Sequence, residues 1–213
     1  METLNKHQLR TEATKRKLLK SARRVFARDG FEASRIDDIA SDAGFTRGAF
    51  YAHFETKEEL FLALLEDEAA RRVKELRELL LNETGDAARL EAIRRFYAEQ
   101  VSNESWCILL LEFKLYALRR VKQRKRLAKA HRRVRDNVTF QALQGLIPQA
   151  MHKDPSHKDR ARLAFEALLC GLVLQRAYDP ESLTVKEAKD LLGAYFDALV
   201  PATCGKAAAR ASR

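Results

Sequence analysis

GFTRGAFYAHFETKEEL, residues Gly44–Leu60, decides the fold. The Thr46 hydroxyl suits the free backbone N–H groups of the turn that follows it, so a short helix is predicted to start just after this residue. Gly44, two residues earlier, marks the end of the preceding helix, where glycine tolerates the left-handed conformation common at helix C-termini. The stretch therefore reads helix, tight turn, helix. In the second helix Ala49, Phe50 and Phe54 fall on an inward face, whereas Arg47, Gly48, Tyr51 and His53 fall largely outward. Glycine inside a helix costs about 1 kcal/mol relative to alanine. Close approach of another surface, such as a phosphate backbone, is one reason to keep Gly48. Thr56 then caps a further helix with Lys57 in its first turn, which joins a cation to free N–H groups in a way that suits an anion.

Outward from this stretch, composition narrows the class. The chain has 213 residues with 46% hydrophobic content, enough for one medium domain or two small ones with a real core. Only 8 Gly and 4 Pro are present, too few turn residues for a β-rich fold, and Leu, Ala, Arg, Lys and Glu dominate, so an all-α protein is expected. No apolar run approaches the roughly 18 residues of a membrane span. The opening METLNKHQLR lacks the apolar centre of a signal peptide. Three widely spaced cysteines make no disulfide framework and no metal-ligand spacing. A cytoplasmic location and no membrane partner are expected. The net charge of +10 favours polyanions in a salt-dependent way, without choosing among DNA, RNA and a membrane surface.

Several motifs then combine. Gly30-Phe31, Ser34-Arg35-Ile36-Asp37-Asp38-Ile39-Ala40, Ala43-Gly44-Phe45-Thr46-Arg47-Gly48-Ala49-Phe50-Tyr51-Ala52-His53-Phe54 and Lys57-Glu58-Glu59-Leu60 closely resemble the N-terminal domain of TetR/AcrR-type bacterial transcriptional regulators. The resemblance is dense over about residues 10–65. It implies an all-α fold of about nine helices: an N-terminal three-helix helix-turn-helix DNA-binding domain over 1–56 with an arm at 1–10, a helical ligand-binding and dimerisation domain over 57–200, and a disordered basic tail over 201–213. It also implies a homodimer on double-stranded operator DNA that senses a small-molecule effector.

The rest of the chain can be placed on that frame. A first helix is expected over Thr11–Arg28, with Leu18, Leu19, Ala22, Val25 and Phe26 as its apolar stripe. A second follows Ser34, read as its N-cap, with Asp37 and Asp38 at its positive end. The helix from Lys57 to about Leu81 starts apolar and becomes charged, and in the resembling family it links the two domains mechanically. Asn82–Asp86 breaks the chain before a fifth helix over about Ala87–Val101. Residues Ser105–Leu118 are apolar almost all round, as in a helix buried on several sides. Trp106, Leu109, Leu110, Glu112, Phe113 and Tyr116 there are the candidate ligand pocket, with core packing as the plainer reading. Residues 114–135 hold eleven cations and no Asp or Glu, on a seventh helix striped by Leu127, Ala130, Val134 and Val138. An anionic-ligand entrance, a second polyanion contact and a solvated face all fit that run. Gly145, Pro148 and His152–Pro155 mark a loop. Ser156 with Asp159 and Thr184 with Glu187 form capping boxes opening two last helices. Surplus apolar surface on those helices, with Leu168, Gly171, Leu172, Leu192, Tyr195 and Phe196, is the candidate dimer interface.

The sequence contains no Gly-rich phosphate loop, G-x-S-x-G elbow or H-E-x-x-H pair, so no enzyme, cofactor or metal is expected. Cys107 and Cys170, set in apolar helices, read as small core residues. Within the resemblance, the second helix of the motif lies in the major groove. Arg47 reads bases, its fork matching guanine O6 and N7. Thr46, Tyr51 and Lys57 hold phosphates, Ser34 and Arg35 do so from the preceding helix, Gly48 permits close approach, and His53 meets a phosphate or a base. The expected function is a repressor released from a palindromic operator by a small molecule. A constitutive, nucleoid-like DNA binder whose C-terminal part only dimerises is the alternative.

Overall fold

A computed structural model describes residues 6–139, 145–146 and 155–199. Nine α-helices and one 3-10 turn, and no strand, occur among the described residues: α1 Lys6–Asp29, α2 Ile36–Asp42, α3 Arg47–Tyr51, α4 Lys57–Leu81, α5 Asp86–Glu99, a 3-10 turn Gln100–Ser102, α6 Glu104–Arg119, α7 Val121–Thr139, α8 Pro155–Tyr178 and α9 Val185–Leu199. The all-α expectation is met. The arm expected over 1–10 is helical from Lys6 onward, so α1 starts five residues before its predicted origin. Residues 1–5, Pro148, His152–Asp154 and the basic tail lie outside the described residues, as do the side chains of the Ser156–Asp159 capping box.

The described residues divide into two compact units. The first draws on the described residues up to Ala70 and on Leu109–Val138, the second on Arg71–Ile108 and on the described residues from Thr139 onward. These compact units are bounded differently from the 1–56 and 57–200 segments read from the sequence. The first half of α4, the end of α6 and α7 pack with the helix-turn-helix segment, because their apolar faces complete its core.

That core is aromatic. Phe26, Phe31, Phe61 and Phe113, all within 2% of full burial, surround one another with Phe61 stacked on Phe113 at 4.3 Å and Phe31 edge-on to Phe113 at 5.3 Å. Each buried phenyl stabilises the unit by about 1.5–3 kcal/mol. Leu18, Ala22 and Val25 of α1, Ile39 and Ala40 of α2, Phe50 of α3 and Leu60 and Leu64 of α4 are buried alongside. Glu68 is 1% exposed, and its carboxylate accepts from Arg23 Nη1 at 2.8 Å.

The second unit centres on Val101, Cys107, Leu169, Val173, Ala188 and Leu192, with Phe165, Leu168, Leu172 and Leu183 packed against them. The buried residues come from the 3-10 turn, α6, α8 and α9, and α5 packs against α9 and the 3-10 turn. Ion pairs brace its surface: Arg94 with Asp197 at 3.0 Å, Lys189 with Glu99 at 2.6 Å and Arg176 with Glu104 at 2.5 Å. The capping box of α9 forms as expected, the Glu187 N–H donating to Thr184 Oγ1 at 3.2 Å and the Thr184 N–H to Glu187 Oε2 at 2.9 Å. Cys107 and Cys170 are buried free thiols, as their apolar setting predicts, and their mutual hydrogen bonding and burial push the Cys107 thiol up.

Candidate nucleic-acid interface

The turn between α2 and α3 is built from the residues that announced it. Gly44 has φ +77°, the Gly44 N–H donates to Ser41 O at 2.9 Å, and the Phe45 N–H donates to Ala40 O at 2.8 Å. This is the Schellman closure of a helix C-terminus, which only a left-handed residue allows cheaply. Thr46 is the N-cap of α3, its Oγ1 accepting from the Ala49 N–H at 3.2 Å. Thr56 does the same for α4, accepting from the Glu59 N–H at 3.1 Å. Phe50 is fully buried, and it fixes the rotation of a five-residue helix that could not stand alone.

That rotation sends Arg47, Gly48 and Tyr51 outward. Arg47 donates to Asp37 Oδ2 at 3.1 Å and to Tyr51 Oη at 3.2 Å, so its fork is held, extended and solvated, at the N-terminus of α3. A Cβ at Gly48 would meet only Thr46 Oγ1, at 3.7 Å, which is ordinary contact. Nothing in the chain's own packing therefore requires glycine at this exposed position. His53 is half-buried and Arg35 exposed.

Two predicted contact residues have intramolecular duties. Ser34 is buried, its hydroxyl donating to Phe31 O at 2.9 Å, and Arg35 stands at the N-cap of α2 without a side-chain cap. The capping role read for Ser34 is thus corrected: its hydroxyl closes the turn before the helix instead. Lys57 Nζ donates to Glu32 O at 2.9 Å and to Ser34 O at 2.8 Å, and stands 5.0 Å from the centre of the Phe31 ring. Burial holds its ammonium below the ordinary value, against the pull of Glu58 and Glu32.

The candidate pocket residues are occupied by packing. Leu109, Leu110 and Phe113 are buried, the Tyr116 hydroxyl is hydrogen-bonded to the Glu58 carboxylate, and Glu112 Oε2 accepts from the Phe31 N–H at 2.7 Å. Trp106 belongs to the other unit, where the Arg72 guanidinium lies 6.0 Å from its ring centre. A groove of about 700 Å³ among the described residues has other walls, with Leu79 and Phe96 flanked by Glu75, Glu83, Glu99 and Arg95. On the candidate dimer surface, Leu192 and Phe196 are buried in their own unit and Leu168, Leu172 and Tyr195 are half-buried. Gly171 is exposed and shares a face with Ala164, Ala167, Leu174 and Tyr178, all exposed. The outward stripe of α8 is therefore displaced from the one containing Leu168 and Leu172. The sequence signal was ambiguous because this helix is apolar on both faces.

Sequence reasoning missed Asp37 as the partner of Arg47. They lie on different helices, so no periodicity joins them.

Comparison with known proteins bears on this geometry. Residues 18–64 match the family model for bacterial regulatory proteins of the tetR family, and residues 86–201 match that for the C-terminal domain of BetI-type transcriptional repressors. The chain belongs to the TetR family. Like its relatives, this TetR-family chain is a helix-turn-helix transcriptional regulator. The repressor AcnR of Corynebacterium diphtheriae is 27% identical over 178 residues, covering 84% of this chain and 88% of AcnR. YerO, a regulator of Bacillus subtilis, is 46% identical over 52 residues, 24% of this chain and only 18% of YerO. In solved structures the fold is shared with the fatty acid degradation regulator FadR of Bacillus halodurans, at TM-score 0.61 and 16% identity over 95% of this chain and 98% of FadR. No described helix is long and apolar enough to cross a membrane.

Proposed function

We propose that this TetR-family regulator is a homodimeric repressor that grips a palindromic operator and releases it when a small molecule binds the second unit. The observation that carries the reading is α3: a Thr46-capped helix showing a solvated Arg47 fork, the Tyr51 hydroxyl and a glycine its own fold does not need. Arg47 reads a guanine edge, Thr46, Tyr51 and Arg35 hold phosphates, and His53 meets the backbone or a base beside them. Repression is favoured by the likeness to AcnR over 84% of this chain. The exposed stripe of Gly171, Leu174 and Tyr178 on α8, with Leu191 on α9, supplies apolar surface for a second copy. Effector and operator then compete because each favours a different state of the dimer. The groove beside Phe96 is one candidate effector site among the described residues; its Glu75, Glu83 and Glu99 are already paired with Arg71, Arg95 and Lys189, so its apolar walls Leu79 and Phe96 are what it offers a ligand.

Footprinting on the DNA upstream of the gene, across a salt series, tests this. Two protected half-sites related by a two-fold axis are expected. Uniform, sequence-blind retardation would overturn it in favour of a nucleoid-like binder.

A further inference from the structure

We propose that the outer face of α7 is a second, sequence-independent DNA-binding surface that grips duplex phosphates away from the α3 site. The inference rests on the DNA-binding reading above and adds a surface to it. Lys122, Lys125, Arg126, Lys129, Arg132 and Arg133 are all exposed. At 100° per residue they fall within about a third of the helix circumference, centred opposite Leu127, which is 2% exposed. From Lys122 to Arg133 they span about 16 Å of helix at 1.5 Å per residue.

Such an arrangement opposes the helix that carries it. Lys122–Arg126, Lys125–Lys129 and Lys129–Arg133 are like-charge neighbours four residues apart, which destabilise a helix. No acidic residue occupies the first turn of α7, where the helix dipole favours one. A solvated face made only for solubility would intersperse signs, as α4 does with its pairs of Arg71 with Glu75 and Lys74 with Glu78. A concentrated single-sign stripe instead complements a polyanion. Duplex DNA presents one charge per about 1.7 Å of axis, so about ten phosphates lie along the reach of this stripe. A membrane surface fits less well. Interfacial helices need an exposed apolar face to bury among the lipids. Among its described residues α7 offers only Val121, at its first residue, as an exposed large hydrophobic, its apolar side being packed inward at Leu127 and half-covered at Ala130 and Val134. Cations further back have duties at home: Arg119 and Arg120 pair with Glu32 at 3.4 and 3.3 Å, and Arg120 lies 3.7 Å from the centre of the Tyr116 ring. The stripe begins where those pairings end.

The test uses the full-length chain, a random-sequence duplex and the footprinted operator, with affinity measured by fluorescence anisotropy from low to high KCl. Three proteins are compared: wild type, Arg47→Ala, and the quadruple variant Lys125→Gln, Lys129→Gln, Arg132→Gln and Arg133→Gln. Glutamine keeps helix propensity close to that of Lys and Arg. The quadruple variant is expected to flatten the slope of log affinity against log salt by about 2–4 on the random duplex, near one for each phosphate no longer neutralised. It should keep the operator preference and melt no lower than wild type. An unchanged slope overturns the proposal. Unchanged DNA binding with lost binding to vesicles of phosphatidylcholine and phosphatidylglycerol also overturns it, in favour of a lipid surface. Equal operator affinity of wild type and Arg47→Ala would instead count against the α3 reading, independently of the slope.

Discussion

The Glu112 carboxylate, in the middle of α6, accepts a 2.7 Å hydrogen bond from the Phe31 backbone N–H, at the turn between α1 and α2. The same carboxylate faces Gly30, where φ is +76° and an added Cβ would lie 3.0 Å from Oε2. One side chain thus holds a left-handed turn and satisfies the N–H of the residue that centres the aromatic core. Removing a hydrogen bond to a charged group costs about 1.5–3 kcal/mol. Glu112→Ala is expected to lose about that much in urea unfolding. Gly30→Ala is expected to lose stability as well, from positive φ and the tight approach together. Stability of either variant equal to wild type would show that the turn is held by something else.

Lys57 is expected to matter first for folding. Its two hydrogen bonds to Glu32 O and Ser34 O tie the start of α4 to the turn before α2. Lys57→Met should lower unfolding free energy by about 1.5–3 kcal/mol, the range for hydrogen bonds to charged groups. DNA affinity should fall alike for operator and random sequence. Full stability with weakened DNA binding would instead identify the ammonium as a phosphate contact that these carbonyls merely park.

Local signals explain what the sequence made legible. Thr46, Thr56, Gly44 and the Thr184–Glu187 pair act within one turn of chain, and each forms as its spacing predicts. Long-range partners did not show: Glu112 is 81 residues from Phe31, and Tyr116 is 58 from Glu58. Both side chains sit on a helix apolar on every side, where period alone cannot separate a pocket wall from a core contact. Leu192 and Phe196, expected on a dimer face, lie on the single apolar stripe of α9 and are buried in their own unit, because a stripe by itself does not say which chain covers it.

Tyr116 gives a pH signature. Burial pushes its hydroxyl from an ordinary 10.0 up to about 12; its hydrogen bond to the Glu58 carboxylate adds to the rise and Arg120 opposes it. Because folding favours the protonated phenol, this contribution to stability is fully present below pH 10 and is lost as pH rises from 10 toward 12. Melting temperature should fall across that window, and Tyr116→Phe should flatten the fall. An equally steep fall in the variant would assign alkaline unfolding to other groups.

Arg47 is restrained by Asp37 in the free protein. Arg47→Ala is expected to weaken operator binding by about ten- to a hundred-fold and to relax preference at one base position, as for removal of a bidentate guanine pair. Asp37→Asn should act in the opposite direction: it frees the fork and removes a negative charge near the phosphates, giving a few-fold tighter binding. Weaker binding by Asp37→Asn would mean that the carboxylate aims the guanidinium at its base and does not merely hold it. Competition binding against duplexes substituted at single positions separates these outcomes.

Gly48 separates fold from function most cleanly. An added Cβ meets only Thr46 Oγ1, at 3.7 Å, and the backbone there is ordinary right-handed helix. Alanine is favoured over glycine inside a helix by about 0.5–1 kcal/mol, so Gly48→Ala is expected to stabilise the protein by up to that amount. If the helix presses its bare backbone against a phosphate, the same methyl should weaken DNA binding about ten-fold or more. A more stable protein that binds less well would place the glycine at the interface, since no intramolecular clash could account for the loss. A more stable protein with undiminished operator affinity would remove close approach at this position from the recognition mechanism, leaving Arg47 and Tyr51 to carry α3.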